Sequence, residues 1–327
     1  GTASVNAPPT LVLATTTTFV AGSDFDLTLA PGATLVTADL TFNDVTPDDV
    51  LVTITAPGTA PTGITGPTGG TTPAASLPGT LSWTGTANAS NAPGTYTWQV
   101  SLNDGVTTVL YDVNIIITDV APAHVGATGQ PGTADGSVAN PYEAVYTQGM
   151  STPAVDLADV TDANTGQTLS ITGTALASGP GSGSGFTFTL ASGTTLQVAP
   201  TAALNANDVG VQVYSVTVSD GTNPVVITVE VTVNGAIVFT SAASLPDATQ
   251  NTTYAGFTVT ATGGTGAITF SITVGALPAG LTLATGGAVS GGTTVAPSNF
   301  TFTITATDSL GATTTQAADI DVVAPAG

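Results

Sequence analysis

The chain of 327 residues has no lysine, no arginine and no cysteine, and it carries a single histidine and a single methionine. Each absence removes a class of chemistry. With no permanent cation, no side-chain salt bridge can form, and no basic cluster exists to displace counterions from nucleic acid or from an anionic membrane surface. Neither nucleic acid nor such a membrane is therefore expected as a partner. Without cysteine there is no disulfide, no thiol chemistry and no cysteine-based metal site. Trypsin-like proteases find no cleavage site. No apolar run approaches the length of a membrane span, and the longest, around Val113 to Ile117, reads as a strand. The opening stretch GTASVNAPPT has neither the basic nor the apolar region of a signal peptide, so the expectation is that any export signal has already been removed.

What remains is acidic and apolar. The 21 acidic residues, of which only Glu143 and Glu230 are glutamate, give a formal net charge of −21. Solvent cations must balance that charge, and salty or divalent-rich water does so best, which points to a location outside the cell. Hydrophobic residues make up 42% of the chain, enough to bury real cores, so this is not a disordered polyelectrolyte. Thr and Val run through nearly every segment while the strong helix formers are scarce, so almost no helix is expected.

One pattern occurs three times: WQVSLNDGVTTVLYDVNIIIT from Trp98, YSVTVSDGTNPVVITVEVTV from Tyr214, and FTFTITATDSLGATTTQAADIDVV from Phe300. In each, an aromatic residue leads an alternating run, an Asp marks the turn (Asp104, Asp220, Asp308), a Gly follows, and a second run begins. Period-two alternation on both sides of a short turn predicts an antiparallel hairpin with one buried face. Each copy ends at a small Pro- or Gly-marked joint: TDVAPA at 118–123, VNGA at 233–236 and VVAPAG at 322–327. The pattern therefore predicts an all-β chain of three tandem β-sandwich domains at 1–119, 120–234 and 235–327. With strands of about 8 to 10 residues at ~3.3 Å each, three such units in line would make an elongated rod of about 100 Å.

The last unit resembles a known family. Leu245-Pro246, Tyr254, the Gly263-Gly264-x-Gly266 turn, Leu277-Pro278-Ala279-Gly280-Leu281 and the closing Phe302-x-Ile304-x-Ala306-x-Asp308 are similar to the Putative Ig domain of bacterial surface proteins, over nearly all of 237–323. The first two units resemble cadherin-like repeats through LTFNDVTPDDVLVTITA (40–56) and VTDANTGQTLSITG (160–173). These resemblances imply immunoglobulin-like and cadherin-like sandwiches strung in a row on a cell surface.

Two loops are rich in hard oxygen donors. Asp44, Asp48 and Asp49 cluster in one, and Asp159, Asp162 and Asn164 stand at the analogous place in the second unit. Calcium takes six to eight oxygens, which such loops can supply, and cadherin repeats bind it at domain joints, so the resemblance carries a calcium role onto these six positions. The alternative is that Asp and Asn make the turns by bonding nearby N–H groups, and neither loop has the twelve-residue EF-hand pattern. For Asp104, Asp220 and Asp308 the turn suffices as an explanation. His124, beside the Pro122 joint, reads as a solvent-facing linker residue.

Little suggests an enzyme. A Ser-His-Asp arrangement would have to use His124, no cation can clamp an oxyanion, and nothing singles out a glycosidase-type carboxylate pair. No catalytic residue is assigned. Asn88, Asn251 and Asn299 begin sequons of the kind that arise by chance in so Thr-rich a chain. Trp83, Trp98, Phe186, Phe188, Phe270, Phe300 and Phe302 fall on alternating strands and read as sandwich core rather than a sugar platform. The segment PPTLVLATTTTFV (8–20) is either the first strand of its own sandwich, the preferred reading, or a strand exchanged with a neighbour. Together these features lead to the expectation of a non-enzymatic extracellular structural protein, a self-associating subunit of a cell-surface filament, fibre or sheath. The alternative is an adhesin stalk or a module that binds surface glycans.

Overall fold

The structure, a computed structural model, describes residues 6–13, 20–21, 24–35, 38–46, 48–88, 91–164, 166–180 and 185–326. Among the described residues the only helical elements are two 3-10 turns of three residues each, Ala74–Ser76 and Ala206–Asp208. Everything else regular is strand, as the shortage of helix formers predicts.

The strands group into seven sheets, two in each of the first two sandwiches and three in the C-terminal one. The N-terminal sandwich faces a four-stranded sheet against a six-stranded one, and both feed a single core. Alternation does the sorting. Ala38, Leu40 and Phe42 of Ala38–Asn43 point inward, as do Phe25, Leu27 and Leu29 of Phe25–Leu29, while the residues between them face outward. Trp83 and Trp98 meet edge-on in this core with ring centroids 6.5 Å apart. The expected first strand appears as Thr10–Leu13, paired antiparallel with Leu40–Asn43 of its own chain; residues 14–19 of that segment lie outside the described residues.

The middle sandwich packs two four-stranded sheets. A register shift between Asp156 and Ala158 turns two successive residues, Leu157 and Ala158, into the core. Tyr146 crosses from one sheet to the other and donates its hydroxyl to the Val198 carbonyl at 2.7 Å. In the C-terminal sandwich a four-stranded sheet carries the two longest strands, and the remaining short strands form a two-stranded sheet and a second four-stranded one.

All three sandwiches close in the same way. A long hairpin comes last: Gly94–Asn103 with Thr108–Ile117, Gly210–Ser219 with Pro224–Asn234, and Ser298–Thr307 with Thr313–Val323. An early strand then lies parallel to the final one: Phe25–Leu29, Tyr142–Thr147 and Ala248–Thr249. The chain therefore enters each sandwich at the end that carries the closing hairpin's turn and leaves at the other. These are the entry and exit ends below.

By compactness the chain divides into two units. One is Gly1–Ala123 with the loops Thr161–Ser170 and Val218–Val225; the other is His124–Val160, Ile171–Thr217 and Val226–Gly327. The two loops that go with the first unit belong, by strand pairing, to the middle sandwich. Asn164 of the first loop bonds the linker at 118–120, and Asp220 of the second is in side-chain contact with Asp162 of the first, as described next.

Candidate functional site: the hairpin aspartates and the joints

The three hairpin aspartates do what the turn requires. Asp104 Oδ1 accepts from the N–H of Val106 and Thr107 at 2.8 and 2.6 Å, and Asp220 Oδ1 accepts from Thr222 and Asn223, both at 2.7 Å. Asp308 Oδ1 accepts from Leu310 and Ala312 at 3.0 and 2.9 Å. One oxygen thus clamps each turn. All three side chains are buried, so the second oxygen needs a partner of its own. That oxygen faces the entry end, and its three environments differ.

At the joint of the middle and C-terminal sandwiches it is fully satisfied. Thr147, the last residue of Tyr142–Thr147, donates its hydroxyl to Asp308 Oδ2 at 2.6 Å, and the Thr265 N–H donates to the same oxygen at 2.8 Å. Asn234 Nδ2 bonds Thr265 Oγ1 at 2.9 Å, which stands 2.7 Å from Thr147 Oγ1. Donation therefore runs one way, from Asn234 through Thr265 and Thr147 to the carboxylate. The Gly263-Gly264-x-Gly266 turn makes this possible. All three glycines have positive φ, and a Cβ on Gly264 would stand 3.1 Å from Asp308 Oδ2 and 2.9 Å from Ile237 Cγ1. Burial works to raise the Asp308 pKa, but the Thr147 hydroxyl and the N–H groups of Thr265, Ala312 and Leu310 outweigh it and hold the carboxyl below its ordinary value.

At the joint of the N-terminal and middle sandwiches the corresponding oxygen is bare. Asp220 is 6% exposed and its Oδ2 has no hydrogen-bond partner; Asp162 Oδ2 and Asp119 Oδ1 are also buried and unpartnered. Asp162 has its pKa raised by burial, against the pull of the Asn164 N–H, and by the carboxylates of Asp220, in side-chain contact with it, and Asp119. Asn164 holds the linker here: its Oδ1 accepts from Val120 N at 2.8 Å, and its Nδ2 donates to the Thr118 carbonyl at 3.0 Å.

At the entry end of the N-terminal sandwich, Asn6 Nδ2 donates to Asp104 Oδ2 at 2.9 Å. The N–H groups of Thr107 and Val106 and the Asn6 amide together hold the Asp104 carboxyl below its ordinary pKa, the Thr107 bond contributing most. Asp44 repeats the turn of Asp162: its Oδ1 accepts from Thr46 N at 2.9 Å, as Asp162 Oδ1 accepts from Asn164 N at 2.6 Å. Asp44 Oδ2 is buried and unpartnered.

The six residues expected to bind calcium are thus dispersed. Asp49 accepts from Ala74 N at 2.9 Å, and Asp48 and Asp49 line a shallow depression with Asn103 and Asp104. Asp159 stands apart on the exposed face of Val155–Thr161, accepting from Thr195 Oγ1 at 2.9 Å. Asn164 spends both its amide atoms on the linker. Among the described residues no group of three or more His, Asp or Glu side chains is disposed to hold a metal ion. The unpartnered oxygens of Asp119, Asp162 and Asp220 are the buried acceptors left at this joint. Asp119 and Asp220 were not among the residues singled out by loop composition. The available signal for Asp119 was its place directly after the strand that ends at Ile117, in the TDVAPA joint.

His124 corrects an expectation. It lies in the strand Ala123–Gly126, half-buried, with Nδ1 2.9 Å from the Tyr142 hydroxyl, and burial lowers its pKa. Of the aromatics, Trp83, Trp98, Phe188, Phe270 and Phe302 are buried, while Phe186 and Phe300 are half-buried. No helix among the described residues is long and apolar enough to cross a membrane.

Residues 236–323 match the family model described as "Putative Ig domain", in agreement with the resemblance carried by Leu245-Pro246 through Asp308. No curated protein matches the chain. Among solved structures, titin domains I67-I69 (an E-to-A variant) share 9% identity, covering 98% of this chain and all of that one, at a TM-score of 0.40. Extracellular cadherin domains 1-4 of protocadherin gamma B7 share 12% identity over 84% of this chain and 67% of that one, at 0.32. An endo-fucoidan hydrolase of glycoside hydrolase family 107 shares 19% identity over 90% of this chain, at 0.27. The chain spans 45% of that hydrolase's length.

Proposed function

We propose that the chain is a non-enzymatic extracellular structural protein, a self-associating subunit of a cell-surface filament, fibre or sheath built from three sandwich modules at 1–119, 120–234 and 235–327. The observation that carries this reading is the use of one residue in one place three times over. Each hairpin Asp gives one oxygen to its own turn and leaves the other for the entry end: Asp308 takes there the Thr147 hydroxyl of the neighbouring module, and Asp220 faces Asp162, on which Asp119 of the linker also acts. The most organised buried polar groups hold module to module. A chain without Lys or Arg and with a net charge of −21 suits an exterior rich in cations, and the match of residues 236–323 to an Ig family accords with it.

Calcium belongs to this reading at one joint, with Asp119, Asp162 and Asp220 as the residues that would hold it. The ion would supply the permanent positive charge that a chain without Lys or Arg lacks. Negative-stain images of the purified protein test the main proposal: ordered polymers are expected. Monodisperse particles that bind a glycan array would instead support an adhesin or carbohydrate-binding module.

A further inference from the structure

One sheet of the middle sandwich ends on a strand that is exposed on both faces. This four-stranded sheet runs in the order Tyr142–Thr147, Pro224–Asn234, Gly210–Ser219 and Ser170–Ser178, so Ser170–Ser178 is its edge. Successive side chains of a strand lie on opposite faces, and a strand of a sandwich ordinarily buries every second one against the facing sheet. Here every residue is exposed except Ile171, which is half-buried, so neither face is packed. The sequence SITGTALAS has no charged residue and no proline, in a chain whose net charge is −21.

An edge strand presents a row of N–H and C=O groups that another strand can pair, and proteins guard such rows with short length, charge, proline or a bulge. Other long edges among the described residues are guarded or packed. Thr269–Gly275, seven residues long, has a register shift between Ile272 and Val274. Tyr142–Thr147, the opposite edge of the same sheet, is six residues long, carries Glu143 and buries Tyr142, Ala144 and Tyr146. Phe186–Ala191, an edge of the facing sheet, is also six residues long and buries Phe188. Ser170–Ser178, at nine residues, is the longest edge described, and neither shortness, charge nor proline protects it.

We infer that Ser170–Ser178 pairs with the same strand of a second copy, antiparallel about a two-fold axis through Thr174, so that two four-stranded sheets join edge to edge. This rests on the self-associating reading above and names a surface for it. Charge selects the partner. A cationic partner is drawn to carboxylates, which this strand lacks, whereas a second copy, acidic elsewhere, meets here an edge that sets no carboxylate opposite another. One register pairs all nine residues: Thr174 with itself, Gly173 with Ala175, Thr172 with Leu176, Ile171 with Ala177 and Ser170 with Ser178. It places a smaller residue opposite each of the two large ones, Ile171 and Leu176. A two-fold contact closes on itself, so it ties chains in pairs, and the growth of a fibre must use another contact. Both copies carry the same negative charge, so added salt strengthens the pairing, the opposite of a contact made by ion pairs.

The test uses the absence of native cysteine. Residues directly opposite in an antiparallel pair lie within disulfide reach, so oxidised Thr174→Cys is expected to form a dimer with itself. Thr172→Cys is expected to cross-link when mixed with Leu176→Cys and not alone. Sedimentation velocity at low and high salt then compares the wild type with Thr174→Asp, Thr174→Lys and an equal mixture of the two. Each charged variant should lose the salt-strengthened association of the wild type while keeping its thermal melt, and the mixture should restore it, a rescue that a folding defect would not give. Thr172→Cys cross-linking alone as readily as Thr174→Cys overturns the register. A wild type that associates, with no Thr174→Cys dimer and no effect of Thr174→Asp, overturns this surface and spares self-association. A wild type that stays monomeric at every concentration and salt overturns both.

Discussion

Thr147 Oγ1 and Asp308 Oδ2 stand 2.6 Å apart although 161 positions separate them in the chain, and both residues are buried. The contact fastens the last hairpin of one sandwich to the exit strand of another. Thr147→Val keeps the shape and removes the donor, leaving a buried carboxylate oxygen with the Thr265 N–H alone. A loss of about 1–3 kcal/mol is expected, read by urea denaturation with tryptophan-independent circular dichroism; a change within error would show that the bond contributes nothing.

The two joints should respond to acid with opposite signs. Asp308 has a depressed folded pKa, so its contribution is present above the unfolded value of about 3.9 and is lost as pH falls through the folded value. Asp162 has a raised folded pKa, so its ionised form is disfavoured by folding. Stability from this group is greatest below about pH 3.9 and declines as pH rises through the raised value. Melting curves against pH should therefore show Asp162→Asn more stable than wild type at neutral pH, with the gap closing in acid. Asp308→Asn should be less stable at neutral pH, again with the gap closing in acid. Identical pH profiles for the three proteins would refute the assignment.

Calcium should act on the same triad. Adding it to chelator-treated protein is expected to raise the melting temperature, and Asp162→Asn or Asp220→Asn should abolish that rise. Asp162→Asn is the sharper variant, because it stabilises the metal-free protein while removing the response. A wild-type melt that ignores calcium would leave these carboxylates as a site of repulsion only.

Tyr146→Phe isolates a different contact, the 2.7 Å bond from the hydroxyl to the Val198 carbonyl across the middle sandwich. Burial pushes this phenol's pKa well up, consistent with a hydroxyl that stays protonated. The variant should lose about 1–2 kcal/mol with no change in association state, which separates core stability from joint stability in the same assays.

The fold was largely legible in the sequence because a strand's two faces are written in its period: Trp98, Val100 and Leu102 are all buried and alternate with residues that face out. Asp104, Asp220 and Asp308 were legible as turn residues, since their Oδ1 partners lie within four positions. Their Oδ2 partners were not. Asn6 is 98 positions from Asp104 and Thr147 is 161 from Asp308, and no local pattern encodes such a distance. Loop composition brought Asp159 beside Asp162 and Asn164, but strand geometry sends Asp159 to the outer face, and the middle sandwich brings in Asp220 from the far hairpin instead. Asp44 shows the same limit, for its turn was readable but its buried, unpartnered oxygen was not.

The parallel pairing of early and final strands carries a mechanical consequence. A pull that draws the early strand and the final one apart along their length slides them past each other, so their hydrogen bonds rupture together rather than in succession. That ladder has five residue pairs in the N-terminal sandwich and six in the middle one, but in the C-terminal one two, Ala248 with Val322 and Thr249 with Val323, and a separate bridge of Ser244 with Asp319. Against a pull of that kind the C-terminal sandwich, with the shortest ladder, is expected to be the fuse, yielding before the other two.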